Sequence, residues 1–317
     1  MLMPCHHMND VGRTIILVTG VTGTVGSEVV KQLVSPISSP SSSGQRSVIR
    51  AAVHSKNKAD KFREQYGSET VEVVHMDYNK PETVATSLDK VGKLFLLTLP
   101  SLNMTDISSK VISEAKKNGV QYIVKLSVFG ADAEPGITIG RLHRQEEKII
   151  EECGITYTFL RSSAFMQNFV NYYGYNIKAQ NAIYLPAGNG KISFVDARDV
   201  AAVAAKLLLS ENNRRTQHEN KAYVITGPEA LSYSQVTEII SKGIGKKISY
   251  IDTEEEDARK AMESMGIEDW LIDAILEEFY NTKVGNRSTT TNTVEEIIGR
   301  KPTPFAQFVR DYANSFN

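Results

Sequence analysis

A glycine-punctuated stretch near the start of the chain, TIILVTGVTGTVG at residues 14–26, constrains the fold more than any other feature. Its first part, Ile15–Thr19, is apolar or β-branched, which is typical of a buried strand, and the residues after the last glycine read as the start of a helix. Between them lie Gly20, Gly23 and Gly26 at a spacing of three. A strand, a glycine turn and a helix in this order present backbone N–H groups to a pyrophosphate. The sequence therefore predicts a nucleotide-binding turn, and the alternative is a tight turn without a ligand.

Five predicted strands alternate with helical patterns in the first half of the chain. They are residues 15–19, 48–53, 71–76, 93–97 and 122–126. This alternation predicts an α/β fold with a Rossmann-type, doubly wound parallel sheet. Ligands of such sheets lie outside the carboxyl ends of the strands. We therefore expect one site from the loops that follow these strands, at residues 20–26, 54–58, 98–101 and 127–140.

After a sixth predicted strand at residues 156–160 the alternation of strands and helices becomes less regular, and a short strand is predicted at residues 192–195. We therefore predict a dinucleotide-binding Rossmann domain over 14–160 and a small α+β substrate-binding subdomain over 161–317. Within the second part, residues 191–226 are expected to return to the Rossmann core. A tail over 1–13 and a Ser/Pro-rich loop over 35–47 complete the division, and the low complexity of the loop indicates exposure without chemistry.

Charge and composition argue against several kinds of partner. The 317 residues carry a formal net charge of −1 without a block of basic residues, so neither nucleic acid nor an anionic membrane surface is expected as a partner. The sequence has no apolar run near the roughly 20 residues of a membrane span. Cys5 and Cys153 form neither a disulfide pattern nor a metal-binding pattern. We expect a cytoplasmic monomer or homodimer that holds no metal and acts on a small molecule.

The residues after the second strand indicate which dinucleotide is bound. In this fold an acidic residue there receives the ribose 2′-hydroxyl of NAD. Here the sequence is HSKNK at residues 54–58, with cationic groups that attract a 2′-phosphate and no carboxylate that repels it. This favours NADP over NAD, unless the lysines are only the solvated first turn of a helix. After the third strand, Asp77 is placed either to contact the adenine amino group or to act as an ordinary cap.

A helix is predicted over residues 141–153, before Gly154. We expect His143 near the edge of its buried stripe, where it can border the cleft. Glu147, four residues later, either orients His143 or pairs with it on the surface. The residues predicted to form the buried stripe are Leu142, Ile149, Ile150 and Cys153.

Six segments of the chain resemble the NmrA-like atypical short-chain dehydrogenases, in particular the quinone and triphenylmethane reductase members. They are VTGVTGTVG, VHSKNKA, LTLPS, KLSVFGAD, LHRQEEKIIEECGITYTFLR and GNGKISFVDARDVA. The resemblance runs from about Thr14 to the end of the chain, apart from the Ser/Pro-rich insert. Single motifs are shared by many Rossmann proteins, but their order and spacing are much more specific.

The resemblance implies hydride transfer with NADP(H) to a small conjugated acceptor such as a quinone or a dye. His54 takes the position at which many relatives have an arginine for the 2′-phosphate. With the loops above, the resemblance gives these cofactor-binding candidates: Gly20, Val21, Thr22, Gly23, Thr24, Val25, Gly26, His54, Ser55, Lys58, Asp77, Thr98, Leu99, Pro100 and Ser127. The substrate-binding candidates are Phe129, Phe165, Asn168 and Tyr172. The alternative for the aromatic residues among them is a place in the core.

The catalytic candidate implied by the resemblance is His143. Typical short-chain dehydrogenases use a Tyr-x-x-x-Lys pair, and residues 137–148 contain no tyrosine. Plant isoflavone and phenylcoumaran reductases place a catalytic lysine at the position of His143. A histidine there can donate a proton near neutral pH, or it is a plain hydrogen-bonding residue. Quinones and cationic dyes can also be reduced without an acid from the protein, because the hydride acceptor becomes a stable delocalised product.

Two further functions stay open at the level of sequence. The first is a dinucleotide-sensing regulator that binds NADP and a protein partner without catalysis, as some NmrA-like proteins do. The second is an isomerase or epimerase with bound NAD, which is weaker because such members keep the Tyr-x-x-x-Lys pair.

Overall fold

The computed structural model describes residues 14–35, 47–67, 70–210 and 216–317. The predicted tail and residues 36–46 of the Ser/Pro-rich loop lie outside this part of the chain. Within the described ranges, the helices are all too short or too polar to cross a membrane.

The strands of the described residues assemble into one large sheet and two small ones. In chain order they are β1 (Ile15–Val18), β2 (Val48–Val53), β3 (Val71–His75), β4 (Val91–Leu96), β5 (Tyr122–Val128), β6 (Thr156–Ser162), β7 (Ala182–Leu185), β8 (Lys191–Ile192), β9 (Lys221–Ile225), β10 (Leu231–Ser232) and β11 (Ser249–Asp252). The large sheet has the order β3-β2-β1-β4-β5-β6-β9, and its pairs are parallel. The predicted Rossmann-type sheet is confirmed. Since the strand order reverses between β1 and β4, a ligand crevice is expected at their carboxyl ends.

The helices of the described residues cover both faces of the large sheet or lie in the carboxy-terminal part of the chain. In chain order they are α1 (Thr24–Val34), α2 (Lys56–Tyr66), α3 (Pro81–Leu88), α4 (Met104–Lys117), α5 (Thr138–Cys153), α6 (Asn168–Asn171), α7 (Gly174–Gln180), α8 (Ala197–Leu209), α9 (Tyr233–Ile244), α10 (Glu255–Ser264), α11 (Asp269–Lys283), α12 (Thr293–Ile298) and α13 (Phe305–Asp311). Helices α1, α2, α8 and α12 share one apolar core with the sheet, and α3, α4 and α5 share the other. Both faces are therefore buried, which is why the central strands are mostly apolar.

A separate buried cluster, rich in aromatic rings, lies in the carboxy-terminal part of the chain. The ring of Phe169 meets those of Phe194 and Phe305 edge to face, each with centroids 5.1 Å apart. Strands β8 and β10 pair antiparallel here, and β7 and β11 pair parallel. The proposed domain boundary at residue 160 stays a prediction.

Several predicted elements have different ends in the structure. A strand over 192–195 was expected, but β8 ends at Ile192, and Val195 instead forms a single parallel bridge with Phe165. The backbone N–H groups of Met166 and Val195 donate across this bridge, each at 2.9 Å. Strands β5 and β6 each run two residues further than predicted, and α5 begins three residues earlier. Where an element ends depends on its contacts with neighbouring elements, and the pattern of a single segment holds no information on those contacts.

Candidate active site

The loop after β1 is a turn that only glycine can form. Gly20 has a φ of +67°, and a Cβ there would lie 2.9 Å from the Leu97 side chain. A Cβ on Gly26 would lie 2.2 Å from the Gly20 carbonyl oxygen. The Gly23 N–H donates to that same oxygen over 3.0 Å. The loop and the start of α1 are therefore in backbone contact, as the glycine spacing predicts.

The start of α1 has the properties of a diphosphate site. Its N-cap is Gly23, and in the described structure no side chain caps the helix. The first amides of a helix have no acceptor within the helix and carry the positive end of its dipole. Among the described residues these amides have no side-chain cap, and Gly26 lets the loop approach the helix start closely. The loop therefore fits a dinucleotide diphosphate. The Asn171 side chain lies over this end and donates to Thr24 Oγ1 at 3.1 Å.

The ends of β1 and β4 are joined by one threonine. Thr19 Oγ1 accepts from the Leu97 N–H at 2.8 Å and donates to the Phe95 carbonyl at 3.1 Å. This holds the segment from Thr98 to Pro100 beside the glycine loop. Leu99 is 76% exposed, so an apolar side chain stands free at the expected crevice. The structure thus brings together the loops predicted for the diphosphate and the nicotinamide.

A histidine and a lysine lie at the carboxyl end of β2. His54 and Lys58 are exposed, and Ser55 is half-buried. The His54 Nδ1 lies 3.8 Å from Asp77 Oδ1, which also accepts the Asn79 N–H at 3.0 Å. That hydrogen bond lowers the pKa of Asp77. The helix after Asp77 has a different N-cap residue, so the capping interpretation is wrong, and the adenine contact stays a prediction.

The buried face of α5 is largely charged, and only Ile150 of the predicted apolar stripe is buried. Leu142, Ile149 and Cys153 are only half-buried. The residues that α5 buries are Gly140, His143, Glu146, Glu147 and Ile150. From His143 onward they have the i, i+3, i+4, i+7 spacing of a helix face.

Two fully buried side chains, Lys125 on β5 and Glu146 on α5, form an ion pair beside His143. The Lys125 Nζ lies 2.7 Å from Glu146 Oε2 and 3.3 Å from His143 Nδ1. The other Glu146 oxygen accepts the hydroxyls of Thr98, at 2.7 Å, and of Ser108. The network thus connects the loop after β4 to α5. We name it the Lys125 network.

Glu147 has partners other than the ones expected from the sequence. It is fully buried, so pairing with His143 on the surface is excluded. Its carboxylate accepts from Arg161 Nη2 at 2.8 Å and from Ser127 Oγ at 2.7 Å. The expectation that Glu147 orients His143 is therefore wrong. The Ser127 hydroxyl is bound within the protein, and its assignment to the cofactor stays a prediction.

The Lys125 network sets the charge state of its members. Burial and the Lys125 ammonium lower the pKa of His143, which the neighbouring carboxylates only partly oppose. Burial by itself would raise the pKa of Glu146, but Lys125 and His143 outweigh it and hold the pKa at about 2. At neutral pH the imidazole is therefore uncharged beside an ionised carboxylate. A neutral imidazole can still donate a hydrogen bond through one ring N–H.

A cavity of about 930 Å³ opens beside the carboxyl end of β5. It lies between residues 129–137 and the helices α10 and α11. Phe129, a substrate-binding candidate, lines it, together with Arg287 and several acidic residues. The lining, drawn from the described residues, does not include the other candidates. They follow β6, close to the glycine loop, and are Phe165, Asn168 and Tyr172.

A sequence model of the NmrA-like family matches residues 13–309. The chain belongs to the NmrA-like family. The resemblance stated from the sequence is thereby confirmed, and it extends over both the central sheet and the carboxy-terminal cluster.

This NmrA-like chain has relatives of similar length. It is 32% identical to an NAD(P)H azoreductase of Xenophilus azovorans, over 95% of this chain and 99% of the relative. Among solved structures it is similar to triphenylmethane reductase of Citrobacter sp., with a TM-score of 0.79, 26% identity and coverage of 95% and 99%. It is also similar to an NADPH-dependent quinone oxidoreductase of Escherichia coli in complex with NADPH, with a TM-score of 0.79, 28% identity and coverage of 96% and 100%.

Three residues at or near the site of this NmrA-like chain were not predicted from the sequence: Lys125, Glu146 and Arg287. Lys125 had a signal, since it is the only charge in the apolar run Tyr122–Leu126. Glu146 had a signal in its spacing of three from His143. Arg287 had none, because its neighbours come from distant parts of the chain.

Proposed function

We propose that this chain is an NADPH-dependent reductase that delivers a hydride to a small conjugated acceptor, a quinone or a dye. The observation that supports this most is the glycine loop at the reversal point of the sheet, two strands away from a cavity that can take a planar molecule. Three relatives that match nearly the full chain are reductases by name and support the same reaction class.

NADP is the cofactor that the site residues favour. His54 and Lys58 stand exposed at the end of β2, where the ribose of a dinucleotide lies in this fold. The residues from Gly20 to Gly26 would hold the diphosphate, and those from Thr98 to Pro100 would line the nicotinamide. Bound NADPH supplies the hydride. The chain's own part is to orient the cofactor and the acceptor and to keep water away from them.

His143 would serve this reaction as a hydrogen-bond donor to the acceptor or the nicotinamide amide. Its imidazole is neutral, since burial and Lys125 both disfavour the charged form. The link from Glu146 to Thr98 couples its position to the nicotinamide loop.

NADPH oxidation with menadione tests the proposed function directly. We expect turnover by the purified chain, which is measured as the loss of NADPH absorbance. No turnover with a panel of quinones, azo dyes and triphenylmethane dyes, while NADPH still binds, would contradict the reductase and favour the dinucleotide sensor.

The role of His143 makes a separate prediction. His143→Ala is expected to lower kcat about 100-fold, the lower end of the effect of a positioned donor. His143→Gln keeps an N–H donor and should retain more of the rate. Because the pKa of His143 is lowered, any fall in the wild-type rate caused by its protonation should lie below pH 6.5, the ordinary value of a free histidine. Unchanged kinetics in both variants would reject the role.

A further inference from the structure

Arg287 is the most buried charged side chain of the cavity. It follows α11 in the chain, and the residue is only 8% exposed. Its guanidinium carbon lies 5.5 Å from the centroid of the Phe129 ring. The Nη1 atom pairs with Glu278, whereas Nε is buried without a hydrogen-bond partner among the described residues. An arginine held on an aromatic ring with an unused donor has capacity for a further acceptor atom.

The other charged groups of the cavity are less buried than Arg287, and apart from Arg259 they are carboxylates. Arg259 is bound by Asp273 at 2.5 Å. Glu277 accepts the backbone N–H of Thr138 at 2.6 Å. Glu134 and Glu255 are exposed at the mouth.

The acidic mouth and the single buried arginine have opposite effects on a ligand. Carboxylates at the mouth disfavour entry of an anion. Arg287 can stabilise negative charge that forms only after a neutral molecule has entered. The cavity is therefore suited to an acceptor that gains negative charge during the reaction rather than before it.

We propose that Arg287 binds the acceptor oxygen on which negative charge develops during reduction, with Phe129 supporting the plane of the acceptor. This rests on the proposed function. In quinone reduction the nicotinamide C–H bond breaks, a bond to hydrogen forms on the quinone, and NADPH is oxidised to NADP⁺. One quinone oxygen takes the negative charge until a proton from water gives the hydroquinone. The guanidinium contact strengthens as that charge forms, so it lowers the barrier.

A cationic triphenylmethane dye provides a contrasting acceptor. Its central carbon takes the hydride, a C–H bond forms, and the cation becomes a neutral molecule without a proton from solvent. No oxygen gains charge in this step. A positive side chain in the cavity then gives no advantage, and it repels the dye cation before the reaction.

The first experiment compares Arg287→Met with wild type on both acceptors. We expect kcat/KM for menadione to fall about 100-fold, mainly through kcat, and kcat/KM for crystal violet to stay level or rise. NADPH affinity should not change. Arg310→Gln is the matched control and should leave both rates unchanged. This exposed arginine on α13 donates to Gln307 at 2.7 Å and is not among the described residues that line the cavity. An equal loss on both acceptors, or no loss on menadione, would overturn the proposal.

The second variant separates recognition from a purely structural role. Burial raises the pKa of Glu278, so a glutamine there is an acceptable replacement for the carboxylate. Glu278→Gln leaves Arg287 in place with a less compensated charge, and we expect kcat/KM for menadione to stay level or rise. If the two residues only hold α11 in place, both variants should lose activity to the same extent.

A binding measurement tests the contact without turnover. The anion of 2-hydroxy-1,4-naphthoquinone resembles the charged state of the acceptor, and menadione resembles the neutral one. In calorimetry without NADPH, Arg287→Met should weaken binding of the anion at least 10-fold. It should weaken binding of menadione much less. Equal binding of the anion to wild type and variant would overturn the proposal, even if no acceptor is turned over and the proposed reductase function fails.

Discussion

Gly26→Ala is expected to weaken NADPH binding at least 100-fold, about 2.7 kcal/mol, while the central sheet stays folded. The added Cβ would lie 2.2 Å from the Gly20 carbonyl oxygen and 2.9 Å from the Val21 nitrogen. Both are backbone atoms that cannot rotate away, so the start of α1 must move away from the loop. The helix amides and the loop then no longer converge on one diphosphate. Calorimetric titration with NADPH measures the loss.

Two other glycines give graded comparisons for this prediction. A Cβ on Gly23 would lie 3.4 Å from the Gly20 oxygen, so Gly23→Ala should have a smaller effect. Gly174, at the start of α7, has only an ordinary contact of 3.6 Å, and Gly174→Ala should leave NADPH binding unchanged. Native affinity in Gly26→Ala with a folded protein would show that the diphosphate binds elsewhere.

Lys125→Met is expected to lower the free energy of unfolding by about 3–5 kcal/mol. The substitution leaves Glu146 as a buried carboxylate without its cation. Methionine has a similar length, so loss of packing contributes little. In the double variant Lys125→Met/Glu146→Gln the neutral amide can still accept from Thr98 and Ser108, and most of the loss should be recovered. Chemical denaturation of the single and double variants gives the coupling energy.

An exposed pair provides the control for the Lys125 network. Lys117 and Glu114 lie 2.6 Å apart on α4, but the Lys117 side chain is 66% exposed. Lys117→Met should therefore cost less than about 1 kcal/mol. A double variant at Lys125 and Glu146 no more stable than Lys125→Met would contradict the expected coupling.

The carboxylate of Glu146 also predicts that the stability of the protein falls in acid. The pKa of Glu146 falls from 4.5 to about 2 on folding, so its ionised form stabilises the folded state above the unfolded pKa. This stabilisation is lost as pH falls from 4.5 towards 2. Wild type should lose more stability over this range than the double variant Lys125→Met/Glu146→Gln. Identical pH dependence in the two proteins would exclude the contribution.

The parts of the site that can be predicted from the sequence are those whose geometry depends on residues close together in the chain. The turn from Gly20 to Gly26 depends on close backbone approach within seven consecutive residues, and only glycine permits it. The position of the loop after β4 follows from the strand alternation, because parallel strands end at the same edge of the sheet. Phe129 lines the cavity for the same reason, since it directly follows β5, and its role in substrate binding stays a prediction.

The face of α5 shows where sequence reasoning fails. An apolar stripe was expected because hydrophobic residues are normally the buried ones, but beside Ile150 the helix α5 buries His143, Glu146 and Glu147. Lys125 and Arg161 on the adjacent strands supply the partners that make this possible. A buried charge needs its counter-charge within a few ångströms, and that distance depends on how helix and strand pack.

The sequence by itself determined the parallel sheet, the glycine turn and the loops that surround the crevice, because each follows from a pattern within one segment. Only the tertiary structure decided that Lys125 and Glu146 form a buried pair next to His143. It alone also brought Arg287 onto the ring of Phe129, across more than 150 positions of the chain. The physical reason is that the charge, burial and hydrogen-bonding of a side chain are set by its spatial neighbours, and these are chosen by packing rather than by sequence spacing.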